Sequence, residues 1–129
     1  MNEQGMVGDF HTQFGLSVKA NPHLTLVEYP ISTLRFRMRL IGEEYVEVVE
    51  ASHSMSTEAL AKELADLLYV VYGTAVSLGF DLHEVFEEVH RSNMSKADEN
   101  GQVQYREDGK VLKPDTYSKA DVASVIFKS

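Results

Sequence analysis

Two short acidic motifs in the sequence carry residues that could do chemistry. Glu44 and Glu47 form an E-x-x-E motif, and Glu63 and Asp66 form an E-x-x-D motif after fifteen intervening residues. Residues three apart lie on the same side of an α-helix, so each motif would direct two carboxylates the same way. Oxygen ligands without histidine or cysteine suit Mg²⁺ or Mn²⁺ rather than zinc. The four acids are therefore a candidate divalent-metal site.

The surroundings of each motif leave other interpretations open. Acids on one face of the first predicted helix could simply be solvated, and these are Glu43, Glu44, Glu47 and Glu50. Glu63 and Asp66 interrupt an apolar stretch, where unpartnered ionised carboxylates would be costly. They could pair with Lys62 or with arginines, lie at a solvated rim, or hold a cation together with the acids of the first helix. Because a short connector at 52–56 makes the two helices antiparallel, we favour the cation.

The elements that must position these acids are helices. The sequence predicts helices at about 6–16, 32–51, 57–78 and 82–93, and a short last turn of helix that ends at Phe127. Ser32 or Thr33, Ser56 and Asp81 are the predicted caps of the three long helices. The apolar side of helix 32–51 is predicted to face the core, and it comprises Leu34, Met38, Ile41, Tyr45, Val48 and Val49.

The segment after Met94 is polar and contains glycine and proline, so it is predicted to be a long loop with a possible hairpin at Asp108-Gly109. The expected fold class is therefore all-α, a bundle of four to five helices with a long polar C-terminal loop. We expect a single domain spanning 1–129, with core helices at about 32–94 and a tail at 95–129.

Composition excludes several functional classes. The net charge of −8 argues against general binding to nucleic acid or to anionic membranes, both of which need a basic face. The absence of cysteine excludes disulfides and thiolate metal sites. The N-terminus lacks the basic and apolar regions of a signal peptide, and the longest apolar run is too interrupted to span a bilayer. We therefore expect a cytoplasmic protein.

The acidic pattern resembles the E-x-x-E…E-x-x-D signature of the all-α nucleoside triphosphate pyrophosphohydrolases, the MazG-like and phosphoribosyl-ATP pyrophosphohydrolase-like proteins. The resemblance extends over roughly residues 9–118. It is carried by the segments FHTQFGL, RLIGEEYVEVVEA, ELADLLYVVYGTAVSLGFDL, VFEEVHRSNMSK and YREDGKVLKPDTY.

The resemblance implies a reaction and roles for individual residues. Members of the superfamily cleave a nucleoside triphosphate between its α- and β-phosphates, with two or three Mg²⁺ or Mn²⁺ ions at the site. By position, Glu44, Glu47, Glu63 and Asp66 would be the metal ligands, and Glu43 would orient or deprotonate the attacking water. The segment after the last bundle helix would supply substrate contacts through Asn93, Lys96, Lys113 and Tyr117. The N-terminal segment would contribute to base recognition, with His11 and Phe14 as candidates.

The resemblance also implies a homodimer or a dimer of dimers, since a partner chain would cover the apolar helix 57–78. The favoured substrates are pyrimidine deoxynucleotides such as dUTP or dCTP, in the cleaning of nucleotide pools. One alternative is phosphoribosyl-ATP pyrophosphohydrolase of histidine biosynthesis. Another is a helical dimerisation module without catalytic activity, whose acids merely bind cations.

Overall fold

The structure, a computed structural model, describes residues 1–128. Its five helices are α1 (Glu3–Gln13), α2 (Ile31–His53), α3 (Thr57–Leu78), α4 (Leu82–Met94) and α5 (Val122–Ile126), with a 3₁₀ turn at Leu26–Glu28. Within the described residues, the extended backbone amounts to one isolated bridge between Tyr105 and Val111. This confirms the predicted all-α class. The chain divides into two compact units, residues 1–82 and the residues from 83 onward, and the single domain over 1–129 stays a prediction.

Most helix boundaries follow from local capping chemistry. The Ser56 side chain accepts a hydrogen bond from the backbone of Ala59, and Asp121 caps α5 in the same way through Ser124. Gly79 ends α3 in the left-handed conformation, with φ of 92°. The predicted cap of α2 at Ser32 or Thr33 is wrong. That helix starts one residue earlier, after Pro30, and no side chain caps it.

The first unit is built around the antiparallel hairpin of α2 and α3, with α1 packed on α3. The loop between α1 and α2 is tied to the C-terminal half of α3. The Tyr29 hydroxyl donates to the Leu78 carbonyl, and the backbone of Lys19 donates to the carbonyl of Val76. Burial is accordingly concentrated in the last turns of α3, at Gly73 and at residues 75–78.

The predicted core face of α2 is only partly buried within the single chain, since Leu34, Ile41 and Val48 are half-buried. Met38, Tyr45 and Val49 are exposed, whereas the buried residues of α2 are Arg37 and Ala51. Arg37, Glu44 and Ala51 recur every seven residues, the spacing that faces a neighbouring antiparallel helix. α2 therefore turns this partly polar seam towards α3, and part of its apolar side is left without cover at Met38, Tyr45 and Val49.

The second unit contains α4, the polar segment and α5. The predicted turn at Asp108-Gly109 is present, with Gly109 at a φ of 88° and Arg106 donating its backbone N–H to Lys110. Farther along, the backbone of Asp121 donates to the Glu88 carboxylate on α4, which anchors the start of α5.

None of the described helices is by itself both long and apolar enough to cross a bilayer. Thr57–Leu78 and Leu82–Met94 pass that test of length and composition only when taken together.

Candidate metal centre

The structure brings the four motif acids together at the α2–α3 seam. Glu44 and Glu47 project from α2 and Glu63 and Asp66 from α3, and one carboxylate oxygen from each lies within 4.8 Å of the others. Below, these four residues are called the acid cluster. The three-residue spacing inside each motif and the antiparallel hairpin produce this convergence. It is the geometry that the sequence predicted.

The acid cluster has few positively charged neighbours. The Lys62 ammonium lies 2.5 Å from Asp66 Oδ2 and 3.7 Å from Glu63 Oε1, and it is largely exposed. Glu44 Oε2 and Glu63 Oε2 are buried and accept no hydrogen bond within the described part of the chain. Pairing with Lys62, one of the alternatives left open above, is therefore real but leaves the cluster with surplus negative charge.

These surroundings raise the pKa of Glu63. Burial raises the pKa of Glu63, the neighbouring Glu47 carboxylate raises it further, and Lys62 opposes both effects. Like charges that converge with few donors are ordinarily destabilising. A cation between them would remove that cost, and buried oxygens that lack a donor are free to serve as ligands. The acid cluster can thus bind a divalent metal ion.

Glu43 lies outside this group. It is exposed on α2, directly before Glu44. On a helix, adjacent residues point about 100° apart, so Glu43 flanks the cluster rather than joining it. Its predicted role with the attacking water remains a prediction.

The predicted substrate contacts from the C-terminal segment lie in the second unit. Lys96 and Lys113 line one cavity of about 410 Å³, together with carboxylates and side-chain amides. The Lys113 ammonium lies 4.9 Å from the centre of the Tyr117 ring. A hydrogen bond from Ser92 lowers the pKa of Tyr117, and nearby lysines, Lys113 and Lys96 among them, lower it further. Three of the four predicted contacts therefore gather in one place, below called the tail group.

Asn93 and the N-terminal candidates have different surroundings. Asn93 is exposed near the end of α4, and its carbonyl accepts from the backbone of Lys96. His11 is only 2% exposed, and its Nδ1 lies 2.9 Å from the Ser17 carbonyl, a packing position inside the first unit. Phe14 is 61% exposed and stacks on Phe10. The roles predicted for Asn93 and His11 in substrate binding remain predictions.

Sequence reasoning missed Arg37, although the residue occupies the same seam. Its side chain is buried, and it donates to the Val70 carbonyl and to Thr74 Oγ1 on α3. The available signal was its seven-residue spacing from Glu44, combined with Gly73 in the largely apolar C-terminal half of α3. Gly73 faces the guanidinium, where any side chain would collide with it.

Comparison with known proteins agrees with this architecture. A family model described as phosphoribosyl-ATP pyrophosphohydrolase matches residues 7–93, which include the whole acid cluster. An uncharacterised protein of Acanthamoeba polyphaga mimivirus is 32% identical over 81 residues, 59% of this chain and 30% of that protein. A phosphoribosyl-ATP pyrophosphatase of Bacillus cereus (strain Q1) is 38% identical over 56 residues, 43% of this chain and 52% of that protein. The matched segments thus span about half or less of each relative.

The family match confirms the resemblance that the two acidic motifs indicated. It extends over α1 to α4 and ends at residue 93, before the polar C-terminal segment. Pyrophosphohydrolases of this kind depend on a divalent metal, which agrees with the acid cluster. The chain belongs to the phosphoribosyl-ATP pyrophosphohydrolase family.

Proposed function

We propose that this protein is a divalent-metal-dependent pyrophosphohydrolase that cleaves a nucleotide between its α- and β-phosphates. Water attacks phosphorus, the bridging P–O bond breaks, and the products are the nucleoside monophosphate and pyrophosphate. Family membership supports this reaction class. The single observation that carries the proposal is the convergence of four carboxylates within 4.8 Å, two of them with buried oxygens that accept no hydrogen bond in the described chain.

Electrostatics explains why such a cluster suits an anionic substrate. A triphosphate brings about four negative charges, which four carboxylates would repel. Bound Mg²⁺ or Mn²⁺, in two or three ions, would neutralise both sides and acidify a water molecule. The chain's own part is to fix the ligands. Glu44 and Glu47 are held by α2 and Glu63 and Asp66 by α3, while Glu43 at the edge of the cluster receives the proton of the attacking water.

Two substrate classes compete for this site. The family description and the name of the Bacillus relative favour phosphoribosyl-ATP, an intermediate of histidine biosynthesis. The C-terminal segment favours pyrimidine deoxynucleotides such as dUTP or dCTP, because its YREDGKVLK stretch resembles stand-alone MazG-like proteins and lies beyond the family match. In either case the tail group of Lys96, Lys113 and Tyr117, with Asn93, would contact substrate phosphates, and His11 would support recognition of the base.

The uncovered side of α2 and α3 supports a homodimer, or a dimer of dimers. Several large apolar residues on these helices are 38–60% exposed, namely Met38, Tyr45, Val46, Val49, Leu64 and Leu68. Apolar surface of this kind is commonly buried by association, and the occupant we propose is a second copy of the chain. We further propose that the protein acts in the cytoplasm, without nucleic-acid or membrane partners, as the net charge of −8 suggests.

The experiment that tests the proposed function is an assay of pyrophosphate release. Phosphoribosyl-ATP and the common ribo- and deoxyribonucleoside triphosphates are offered to the full chain, with Mg²⁺, with Mn²⁺ or with a chelator. We expect release from at least one substrate, with dependence on the metal. Glu47→Ala and Asp66→Ala should abolish turnover and leave the helical circular dichroism nearly unchanged.

Glu50→Ala is the matched control, because Glu50 is an exposed acid of α2 outside the acid cluster. It should retain nearly full turnover. Activity that survives both Glu47→Ala and Asp66→Ala would refute the assignment. A folded, metal-binding protein that releases no pyrophosphate from any substrate would leave the non-catalytic cation-binding module as the better description.

A further inference from the structure

Arg37 is a buried positive charge that the proposed chemistry does not use. Arg37 is 3% exposed, and within residues 1–128 its guanidinium forms no ion pair. Burying an arginine without a carboxylate partner is costly, so a buried unpaired guanidinium calls for a reason. Its contacts supply one, because both hydrogen bonds cross from α2 to α3. Nη2 donates to the Val70 carbonyl at 3.0 Å, and Nε donates to Thr74 Oγ1 at 3.3 Å.

These bonds lie in register with the acid cluster. Glu44 is seven residues after Arg37 on α2, and Glu63 is seven residues before Val70 on the antiparallel α3. Seven residues are two helical turns, about 10.5 Å of axial rise on either helix. Any sliding of α2 against α3 at Arg37 would therefore displace Glu44 from Glu63 by the same amount. A slip of one turn, about 5.4 Å, exceeds the 4.8 Å spread of the whole cluster.

The acid cluster thus lies between two ties. On one side the hairpin turn at Ser54 and Met55 joins the helices covalently, and on the other side Arg37 joins them through hydrogen bonds. A turn alone leaves the far ends of two helices free to splay. Metal ligands must be held to within tenths of an ångström, and Mg²⁺ in particular demands near-ideal octahedral geometry.

Gly73 makes room for this tie. A Cβ at position 73 would lie 2.3 Å from Arg37 Nη2 and 2.9 Å from His11 Nε2. His11 cannot easily yield, since its buried ring is held by the Ser17 carbonyl. Glycine in mid-helix normally weakens the helix relative to alanine, so its presence here fits a need for space.

We infer that Arg37 is a positioning residue, whose fork to Val70 and Thr74 sets the register of α2 against α3 so that the four carboxylates meet around a metal ion. This inference rests on the proposed function. It concerns geometry rather than charge, and it assigns Gly73 the supporting role of leaving space for the guanidinium.

The test measures Mn²⁺ affinity by isothermal titration calorimetry on the full chain. Arg37→Met and Arg37→Lys should each weaken Mn²⁺ binding about tenfold or more, because a shift of α2 against α3 moves a carboxylate away from the ion. Losses of this size are usual when the support of a metal ligand is removed. Lysine keeps the charge but lacks the fork that reaches two acceptors. Gly73→Ala should mimic both variants, because the added methyl group displaces the guanidinium. It also keeps the test informative should the Arg37 variants fold poorly.

Two controls separate register from charge and from stability. Arg39→Met removes an exposed arginine that lies closer to Glu44 along α2, and it should leave the dissociation constant within about twofold. Leu78→Ala truncates a buried side chain at the end of α3, one turn beyond the fork, and it should lower the melting temperature without changing Mn²⁺ affinity.

A second readout reports ligand geometry directly. Luminescence lifetimes of Eu³⁺ in H₂O and D₂O count the water molecules on the bound ion. The Arg37→Met and Gly73→Ala proteins should show at least one more bound water than the parent, because a carboxylate has moved out of reach. Leu78→Ala should show no increase.

The outcomes distinguish this inference from the proposed function. If the parent protein binds neither Mn²⁺ nor Eu³⁺, the proposed metal site itself fails. If the parent binds both ions and Arg37→Lys or Gly73→Ala matches it in affinity and in bound water, the register inference is overturned while the metal site stands.

Discussion

Lys62 contacts two of the four clustered acids, yet its ammonium group is largely in solvent. Side-chain and charge interactions with Asp66 raise the pKa of Lys62, so the lysine stays protonated at neutral pH. An exposed lysine on a flexible stem neutralises the cluster loosely and can move aside. Most of the negative charge of the acid cluster is therefore left for a bound cation to neutralise.

Glu43 is the residue whose role a single substitution can decide. If Glu43 takes the proton of the attacking water, Glu43→Gln should lower kcat by about 10²- to 10⁴-fold, the usual contribution of a general base. Metal affinity should change less than about twofold, because Glu43 lies outside the acid cluster. Steady-state kinetics and Mn²⁺ titration on the same preparation check both expectations. An unchanged kcat would show that Glu43 is an exposed surface acid without a catalytic role.

At the residue scale the sequence predicted the acid cluster but not its support. Three-residue spacing on helices is a strong local rule, so the convergence of Glu44, Glu47, Glu63 and Asp66 could be anticipated. Arg37 could not, because an arginine on a helix is normally solvated, and its burial depends on the space left by Gly73. Whether His11 was buried likewise depended on how α1 packs, which no local pattern specifies.

At the scale of elements, local chemistry predicted the helices better than their faces. Ser56 was predicted to cap α3, and the structure confirms it. Gly79 and Asp121 likewise mark helix ends, through a left-handed conformation and a side-chain hydrogen bond. The buried face of α2 was predicted only in part from its apolar residues, because Met38, Tyr45 and Val49 are exposed. A hydrophobic pattern shows which side avoids water, but it does not say whether the same chain or another one covers that side.

The Glu88 carboxylate is one of the groups that attach α5 to α4, beside the ion pair of Lys128 with Glu84. Glu88 accepts two hydrogen bonds from Arg91 and one from the backbone of Asp121. The Arg91 guanidinium, with the Asp121 N–H, lowers the pKa of Glu88 from 4.5 to about 2. Since the folded state holds this proton less tightly than the unfolded state, the stabilisation is complete above pH 4.5 and is lost as pH falls towards 2.

Glu88→Gln should therefore flatten the acid side of the stability profile. We expect the variant to be less stable than the parent at pH 7 and to lose less stability between about pH 4.5 and pH 2. Thermal unfolding followed by circular dichroism across this range measures the difference. Glu107→Gln, which changes an exposed acid of the same unit, should follow the parent curve. Parallel curves for Glu88→Gln and the parent would show that this carboxylate does not govern the acid response.

At the scale of the whole molecule, the uncovered side of α2 and α3 is the surface of the first unit through which the chain would assemble. Its apolar residues include Tyr45 at 60% exposed and Leu68 at 48%. Lone exposed apolar residues are normal, but a group of this size on two adjacent helices favours association.

We predict that light scattering coupled to gel filtration will give at least twice the chain mass of 14.5 kDa. Leu68→Glu should shift the protein towards the monomer, because a buried unpaired charge at an interface is costly. Val27→Glu is the control, since Val27 is an exposed apolar residue of the first unit outside α2 and α3. A parent protein that elutes as a monomer at all concentrations would contradict the homodimer.

The central claim is that the acid cluster holds a divalent cation, and Mn²⁺ titration of the parent and Glu63→Gln tests it most directly. Glutamine keeps the shape of Glu63 and removes its charge, while Glu50→Gln makes the same change on exposed α2 surface. The account predicts saturable Mn²⁺ binding by the parent and by Glu50→Gln, and binding at least about tenfold weaker in Glu63→Gln. Equal affinity in all three proteins, or no binding by the parent, would contradict it.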